Sequence, residues 1–202
     1  MRLLGAAAAL RGAVAALAAA MAWVAGWNYL ACALLVTADI LGRNLLGVST
    51  AATVELTGHM LACGIAWGLA HALAVRAHIR VDVLLGRLPP AARAPFHLLA
   101  ISLLSGLAGF MAWAAWTLVD ESALFGARDN SALRVPLIIP QGLWALGISA
   151  FLVMCAVLLL ESLLALMAGE PRRIDALLGS RSVQEETAEA LGAAATAGRR
   201  GP

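Results

Sequence analysis

The chain has 202 residues, of which 62% are hydrophobic and only 13% charged, and its mean hydropathy is +0.87. Soluble globular domains carry about 25% charged residues, so a water-soluble globular fold is excluded. A net charge of +2 is too small for the basic surface that nucleic acid requires. The composition is that of an integral membrane protein.

Taken in chain order, four stretches lack Asp, Glu, Lys and Arg: 12–38, 56–75, 94–119 and 135–160. A helix rises about 1.5 Å per residue and the hydrocarbon core is about 30 Å thick, so about 20 apolar residues cross it. The apolar residues run consecutively and do not alternate, which excludes barrel strands. The expectation is an all-α integral membrane protein with four transmembrane helices, at about 18–41, 55–75, 94–119 and 136–162.

Residues 2–20 are Ala-rich and hold Arg2 and Arg11. Ala20-Met21-Ala22 has the small-residue pattern of a signal cleavage site. Arg11, however, splits the apolar core of such a signal, and cleavage would leave only 23–38 ahead of Asp39, too short to span. The reading favoured is therefore a retained lead-in lying at the cytoplasmic interface, with the membrane helix starting near residues 17–21. At the end of this helix Asp39 and Arg43 have i, i+4 spacing with the acid first, the favourable order for a helical pair. Glu55 opens the next helix near the same membrane level, and these three residues are candidates to staple helix one to helix two or to face another protein. Within helix two, Gly64 and Gly68 form a GxxxG, which permits close approach of another helix.

The segment after helix two gathers Arg76, Arg80, Arg87 and Arg93. Val81, Leu84, Leu85 and Leu88 fall at i, i+3, i+4, i+7 until Pro89-Pro90 ends the run. A short interfacial helix between helices two and three is expected, apolar face down and arginines toward lipid phosphates. Beyond helix four, Glu170-Pro171 closes the 1–168 membrane domain. The remainder, 169–202, is poor in bulky apolar residues and is expected to be a disordered cytoplasmic tail with at most a helical turn near 174–178. Arg2 and Arg11 before helix one, the four arginines at 76–93 and Arg172 and Arg173 after helix four outnumber Arg43, Arg128 and Arg134 in the other loops. By the positive-inside rule both termini and the 76–93 loop are cytoplasmic, with Arg76, Arg80, Arg87 and Arg93 as topology anchors.

Groups able to do chemistry are few. Cys32, Cys63 and Cys155 are isolated within apolar runs, without ligand spacing, and read as small buried residues. There is no GxSxG, HExxH or P-loop, so neither an enzyme nor a metal or cofactor site is expected. Trp23, Trp27, Trp67, Trp113, Trp116 and Trp144 suit interfacial belts or helix packing. His59 lies toward one membrane face, while His71 and His97 lie toward the other. Two histidines between helices can hold haem, so a haem-binding anchor of a respiratory dehydrogenase is one alternative reading. The simpler one makes His71 and His97 interfacial residues bonded to headgroups, water or neighbouring helices. A stand-alone four-helix scaffold is a further alternative.

The succession "VTADILGRNLLGVSTAATVELTGHMLACGIAWGLAHALAVRAHIRVDVLLGRLP", with "SALRVPLIIPQGLW" before the last span, resembles the small membrane subunit, DctQ-like, of tripartite ATP-independent periplasmic (TRAP) transporters. The shared marks are Asp39 and Arg43, Glu55, Gly68, the "HIRVD" of His78 to Asp82 with Leu88-Pro89, and Ser131 with Pro136 and Pro140. The likeness covers about residues 20–165. It departs where a second acid commonly precedes Glu55, here Val54, and where an arginine often follows, here His59. The resemblance implies a noncatalytic partner of a large multi-span DctM-like subunit, which moves substrate by an elevator motion. A periplasmic solute-binding protein, DctP-like, would deliver a small solute, usually an organic acid, for uptake driven by a sodium gradient across the bacterial inner membrane. The accompanying hypothesis is that Arg43 and Glu55 fix the outer end, and that His78 and Asp82, one turn apart, fix the start of the interfacial helix.

Overall fold

A computed structural model describes residues 2–49, 52–77, 89–130 and 133–179, together with 187 and 191. These form helices α1 (Arg2–Leu41), α2 (Thr53–Ala74), α3 (Pro90–Leu124), α4 (Ile138–Met167) and α5 (Pro171–Leu178), with a π-helical turn, Gly42–Leu46, continuing α1. The described residues form no strand, only an isolated bridge between Arg128 and Pro136. Four of the helices are long and apolar enough to cross a membrane. His78, Arg80, Asp82 and Arg87, and with them the expected interfacial helix, lie outside the described residues.

Helix α1 departs from expectation. Its 40 residues run unbroken for about 60 Å at the ordinary rise, twice the thickness of the hydrocarbon core. The Ala-rich lead-in is therefore continuous with the span, as its composition of strong helix formers favours. Helices α3 and α4 also overrun their uncharged stretches, because a charged residue ends an apolar run without ending a helix. Pro90 starts α3 at its first position, where a missing N–H costs nothing.

Helix α4 is central. It packs against α1, α2, α3 and α5, and α1 packs against α2, whereas α2 and α3 share no comparable interface among the described residues. In its most apolar window 44% of residues are buried, against 17% in the first span. Its buried residues include Gly147, Ile148, Phe151, Met154, Cys155, Leu158, Ser162 and Ala165, spaced three and four apart on one broad face. The outward side chains, Trp23, Leu34, Leu103, Phe110 and Trp113 among them, are large, apolar and exposed, as a surface bathed in lipid requires.

Small residues set the closest approaches. A Cβ on Gly147 would sit 2.8 Å from the Ala66 carbonyl carbon and 2.7 Å from Trp67 Cδ1, so α2 and α4 touch backbone to backbone there. A Cβ on Gly64 would meet Tyr29 Cζ at 2.8 Å, whereas one on Gly68 would meet nothing within 4 Å. Among the described residues only the first glycine of the GxxxG is thus a contact point inside the chain. Polar side chains cross the same seams: Asn28 Nδ2 donates to the Met60 carbonyl at 2.6 Å, Trp67 Nε1 to Leu143 at 2.7 Å, and Trp116 Nε1 to Ser149 Oγ at 3.0 Å. In hydrocarbon such bonds leave fewer polar groups unsatisfied and hold helices in register.

Candidate functional site at the two bundle ends

The charged side chains gather at the two ends of the bundle. At the end bearing α5 and the start of α1, Glu161 of α4 is 0% exposed. Its Oε2 accepts from Arg11 Nε at 2.8 Å and its Oε1 from Arg173 Nη2 at 2.9 Å. One carboxylate thus ties α1 and α5 to the central helix. A buried charge persists only when paired and hydrogen-bonded, and here both oxygens are taken.

The same end holds Asp175 on α5. Its Oδ1 accepts from His97 Nε2 at 3.2 Å, and its Oδ2 lies 3.4 Å from Arg93 Nη1. A carboxylate only accepts, so that bond places the His97 ring hydrogen on Nε2. Arg76 ends α2 in a left-handed conformation, φ 58°, and its Nη1 donates to the Ala176 carbonyl at 3.1 Å, one of the carbonyls that α5 cannot satisfy itself. Arg11, Arg93 and Arg173 face Glu161, Glu170 and Asp175, a balanced set. His97, a haem candidate with His71, is one of its members, and the helices of the two share no interface comparable to the others among the described residues.

One correction follows from this end. Where at most a helical turn near 174–178 was expected, α5 is a two-turn helix over Pro171–Leu178 whose Ile174 and Leu178 are 0% and 2% exposed in the main core cluster, with Leu4, Ile101 and Ala165. Two aliphatics at i, i+4 bury enough surface when polar contacts from α3, α4 and the end of α2 accompany them. The described topology anchors, Arg76 and Arg93, moreover direct guanidinium hydrogen bonds to α5. Glu161 carried no expectation at all. Its signal was present, since it is a lone acid in a helix that continues apolar on both sides.

At the far end, Asp39 and Arg43 pair as their spacing predicts, Oδ2 to Nη2 at 2.7 Å, and Ser49 Oγ donates to Asp39 Oδ1 at 3.2 Å. The pair therefore closes the π turn and the bend after it. Asp39 is buried while the Arg43 side chain is 61% exposed. Glu55 stands in the first turn of α2, and its Oε2 is buried without a hydrogen-bond partner. No hydrogen bond or ion pair joins it to Asp39 or Arg43 among the described residues, so the three do not form an internal staple. Leu45, Leu46, Val48 and Val54 around them are all strongly exposed.

The link across this end is made instead by His59, whose Nε2 lies 2.9 Å from Asp129 Oδ2. Asp129 also accepts from the Asn130 N–H at Oδ1, and the Asp129 and Leu137 N–H groups donate to the Val135 and Ala127 carbonyls. The two described arms of the α3–α4 connection, 127–129 and 135–137, are thus bonded to each other, and Asp129 ties them to α2 through the His59 imidazole. The described polar groups resemble no hydrolytic or metal-binding constellation, and what they are arranged to do is hold helices and connections in place.

No curated protein and no solved structure matches the chain. Residues 32–168 match the family described as the DctQ component of tripartite ATP-independent periplasmic transporters, from the buried Cys32 in α1 to the residue after α4. With that match covering most of the chain, including the end of the first span and the whole of the other three, the protein belongs to the DctQ family, the small membrane subunits of TRAP transporters.

Proposed function

We propose that the chain is the small permease subunit that braces the large multi-span DctM-like subunit against the bilayer and helps dock the periplasmic DctP-like solute-binding protein, for ion-gradient-driven uptake of a small solute of the organic-acid class. The arginine distribution supports placing the α5 end at the cytoplasmic face and the Asp39–Glu55 end at the periplasmic face of the bacterial inner membrane.

The observation that carries this reading is the contrast between paired and unpaired carboxylates. At the α5 end Glu161, Glu170 and Asp175 each pair with an arginine of the chain. At the far end Arg43 is largely exposed, the Glu55 Oε2 is buried without a partner, and the surrounding aliphatics are open. An exposed apolar patch around polar groups is the composition of a protein interface, and a partner's donor would satisfy the Glu55 carboxylate.

Affinity purification of tagged protein from gently solubilised native membranes tests this reading. A large many-span permease in a colourless eluate is expected, with recovery reduced by Arg43→Ala and Glu55→Ala. Recovery of the chain alone, or normal assembly and uptake in both variants, overturns the docking assignment. A red eluate carrying a flavin or iron–sulfur subunit would replace it with the haem-anchor reading.

A further inference from the structure

The first half of α1 is apolar where hydrocarbon does not reach it. Asp39 stands in the charged layer of the far end, and Arg11 stands in that of the α5 end, bonded to Glu161 at 2.8 Å. Between them the helix rises about 42 Å at the ordinary 1.5 Å per residue, against about 30 Å of hydrocarbon. Counted from Asp39, about 20 residues cross that core, so the turns up to Leu17 lie past its edge. One face of these turns is used inside the chain: Leu4, Ala7 and Ala18 are buried, and Arg11, midway between Leu4 and Ala18, points the same way. A second stripe runs beside it. Leu3, Leu10 and Leu17 recur at seven-residue spacing and are 72%, 46% and 61% exposed, and Ala6, Ala13 and Ala20 between them are exposed as well. This is the a/d pattern of a coiled-coil seam, and no other part of the described chain covers it.

We propose that this stripe is a self-association seam, on which α1 of a second copy of the chain packs in parallel and in register. The pattern is self-complementary: in-register copies set Leu against Leu in one layer and bring the backbones close at Ala in the next. The charge pattern allows it. The positions flanking the seam are Ala7, Ala9, Val14 and Ala16. Arg11, the one charged residue between Leu3 and Ala20, is turned away to Glu161, so two copies bring no like charges together there.

The bilayer supplies the orientation. Copies inserted the same way run their first helices parallel, as an in-register seam requires, and a twofold axis along the membrane normal relates them. Left uncovered, the stripe would hold about 25 Å of apolar helix face against water and headgroups, and contiguous apolar surface of that kind marks an interaction site. The rest of α1 anchors the seam: Leu4 and Ala18 sit in the main core cluster, so the stripe is presented on a fixed helix. The seam goes beyond the subunit reading and does not rest on it, since it joins two copies of the chain whether or not each carries a large subunit.

The test is oxidative cysteine cross-linking of the full chain in native membranes, in a background carrying Cys32→Ala, Cys63→Ala and Cys155→Ala. Leu3→Cys, Leu10→Cys and Leu17→Cys are expected to form a disulfide-linked dimer of the chain about fivefold more efficiently than Gly5→Cys, Gly12→Cys and Ala19→Cys, which lie off the seam. A Cβ at Gly5 or Gly12 meets nothing within 4 Å, so these controls fold. Native mass spectrometry of the chain with its own cysteines is the second measurement. Wild type should give a dimer, and Leu10→Lys should lower it about tenfold, because a charge at a seam position opposes pairing, while thermal unfolding stays at its wild-type midpoint. Equal cross-linking at both sets of positions, no cross-linked dimer, or a dimer unaffected by Leu10→Lys overturns the seam. So does a product joining the chain to a larger protein in place of a second copy, which would assign the stripe to the large subunit.

Discussion

The two ends of this bundle handle charge in opposite ways. At the α5 end a fully buried carboxylate, Glu161, is shared by arginines from α1 and α5, and Asp175 is shared by Arg93 and His97. At the far end the pairs are separate and two-membered: Asp39 with Arg43 one turn away, and His59 with Asp129 of the α3–α4 connection. One end is stabilised by long-range pairs that bring the chain's extremities together. The other keeps a largely exposed guanidinium and a buried carboxylate oxygen without a hydrogen-bond partner among the described residues.

The largest expected effect falls on the α5 end. Glu161→Ala leaves Arg11 and Arg173 without their shared acceptor, and breaking a buried pair from one side costs about 3–5 kcal/mol. Thermal unfolding in detergent should therefore drop steeply, and a variant within a degree or two of wild type would break the comparison. Next comes the seam between the ends. Gly147→Ala forces a Cβ against the Ala66 backbone and should cost ~1–3 kcal/mol as an overpacking strain. Gly68→Ala, with open space at its Cβ, should be nearly neutral by the same assay; equal losses would mean that Gly68 packs inside the chain after all.

Smaller effects belong to the far end. His59→Ala should cost about 1 kcal/mol or less, the worth of one partly exposed charge-assisted contact. Its signature should be faster exchange of the Asp129 and Leu137 amides, and unaltered protection there would remove His59 as the anchor of that turn. Arg43→Ala should cost the folded chain least, because a pair with one largely exposed partner is worth under about 1 kcal/mol. It should nevertheless lower co-purification with the large subunit. A variant that loses stability as severely as Glu161→Ala would erase the distinction between the two ends.

The four spans were legible in the sequence because bilayer thickness imposes a length that uncharged runs reveal directly. The Asp39–Arg43 pair was legible for the same kind of reason, since helical periodicity is local and i, i+4 spacing needs no knowledge of the fold. Glu55 illustrates the limit: its position at the opening of α2 was foreseen, but whether it reached Asp39 and Arg43 depended on how two helices pack.

What only the tertiary structure decided is partnership across long separations. Arg11 meets Glu161 across 150 positions and Arg93 meets Asp175 across 82. No periodicity links such pairs, so Glu161 read as the end of an apolar run, Arg11 as a topological charge and α5 as part of a tail. Likewise the choice of Gly64 and Gly147 over Gly68 as contact points followed from the rotation of each helix about its axis. The sequence by itself determined a four-span membrane protein with charged ends, because lipid punishes charge residue by residue. The packing of α4 among its neighbours decided which of those charges are satisfied within the chain, because a buried ion pair depends on three-dimensional proximity that local sequence does not encode.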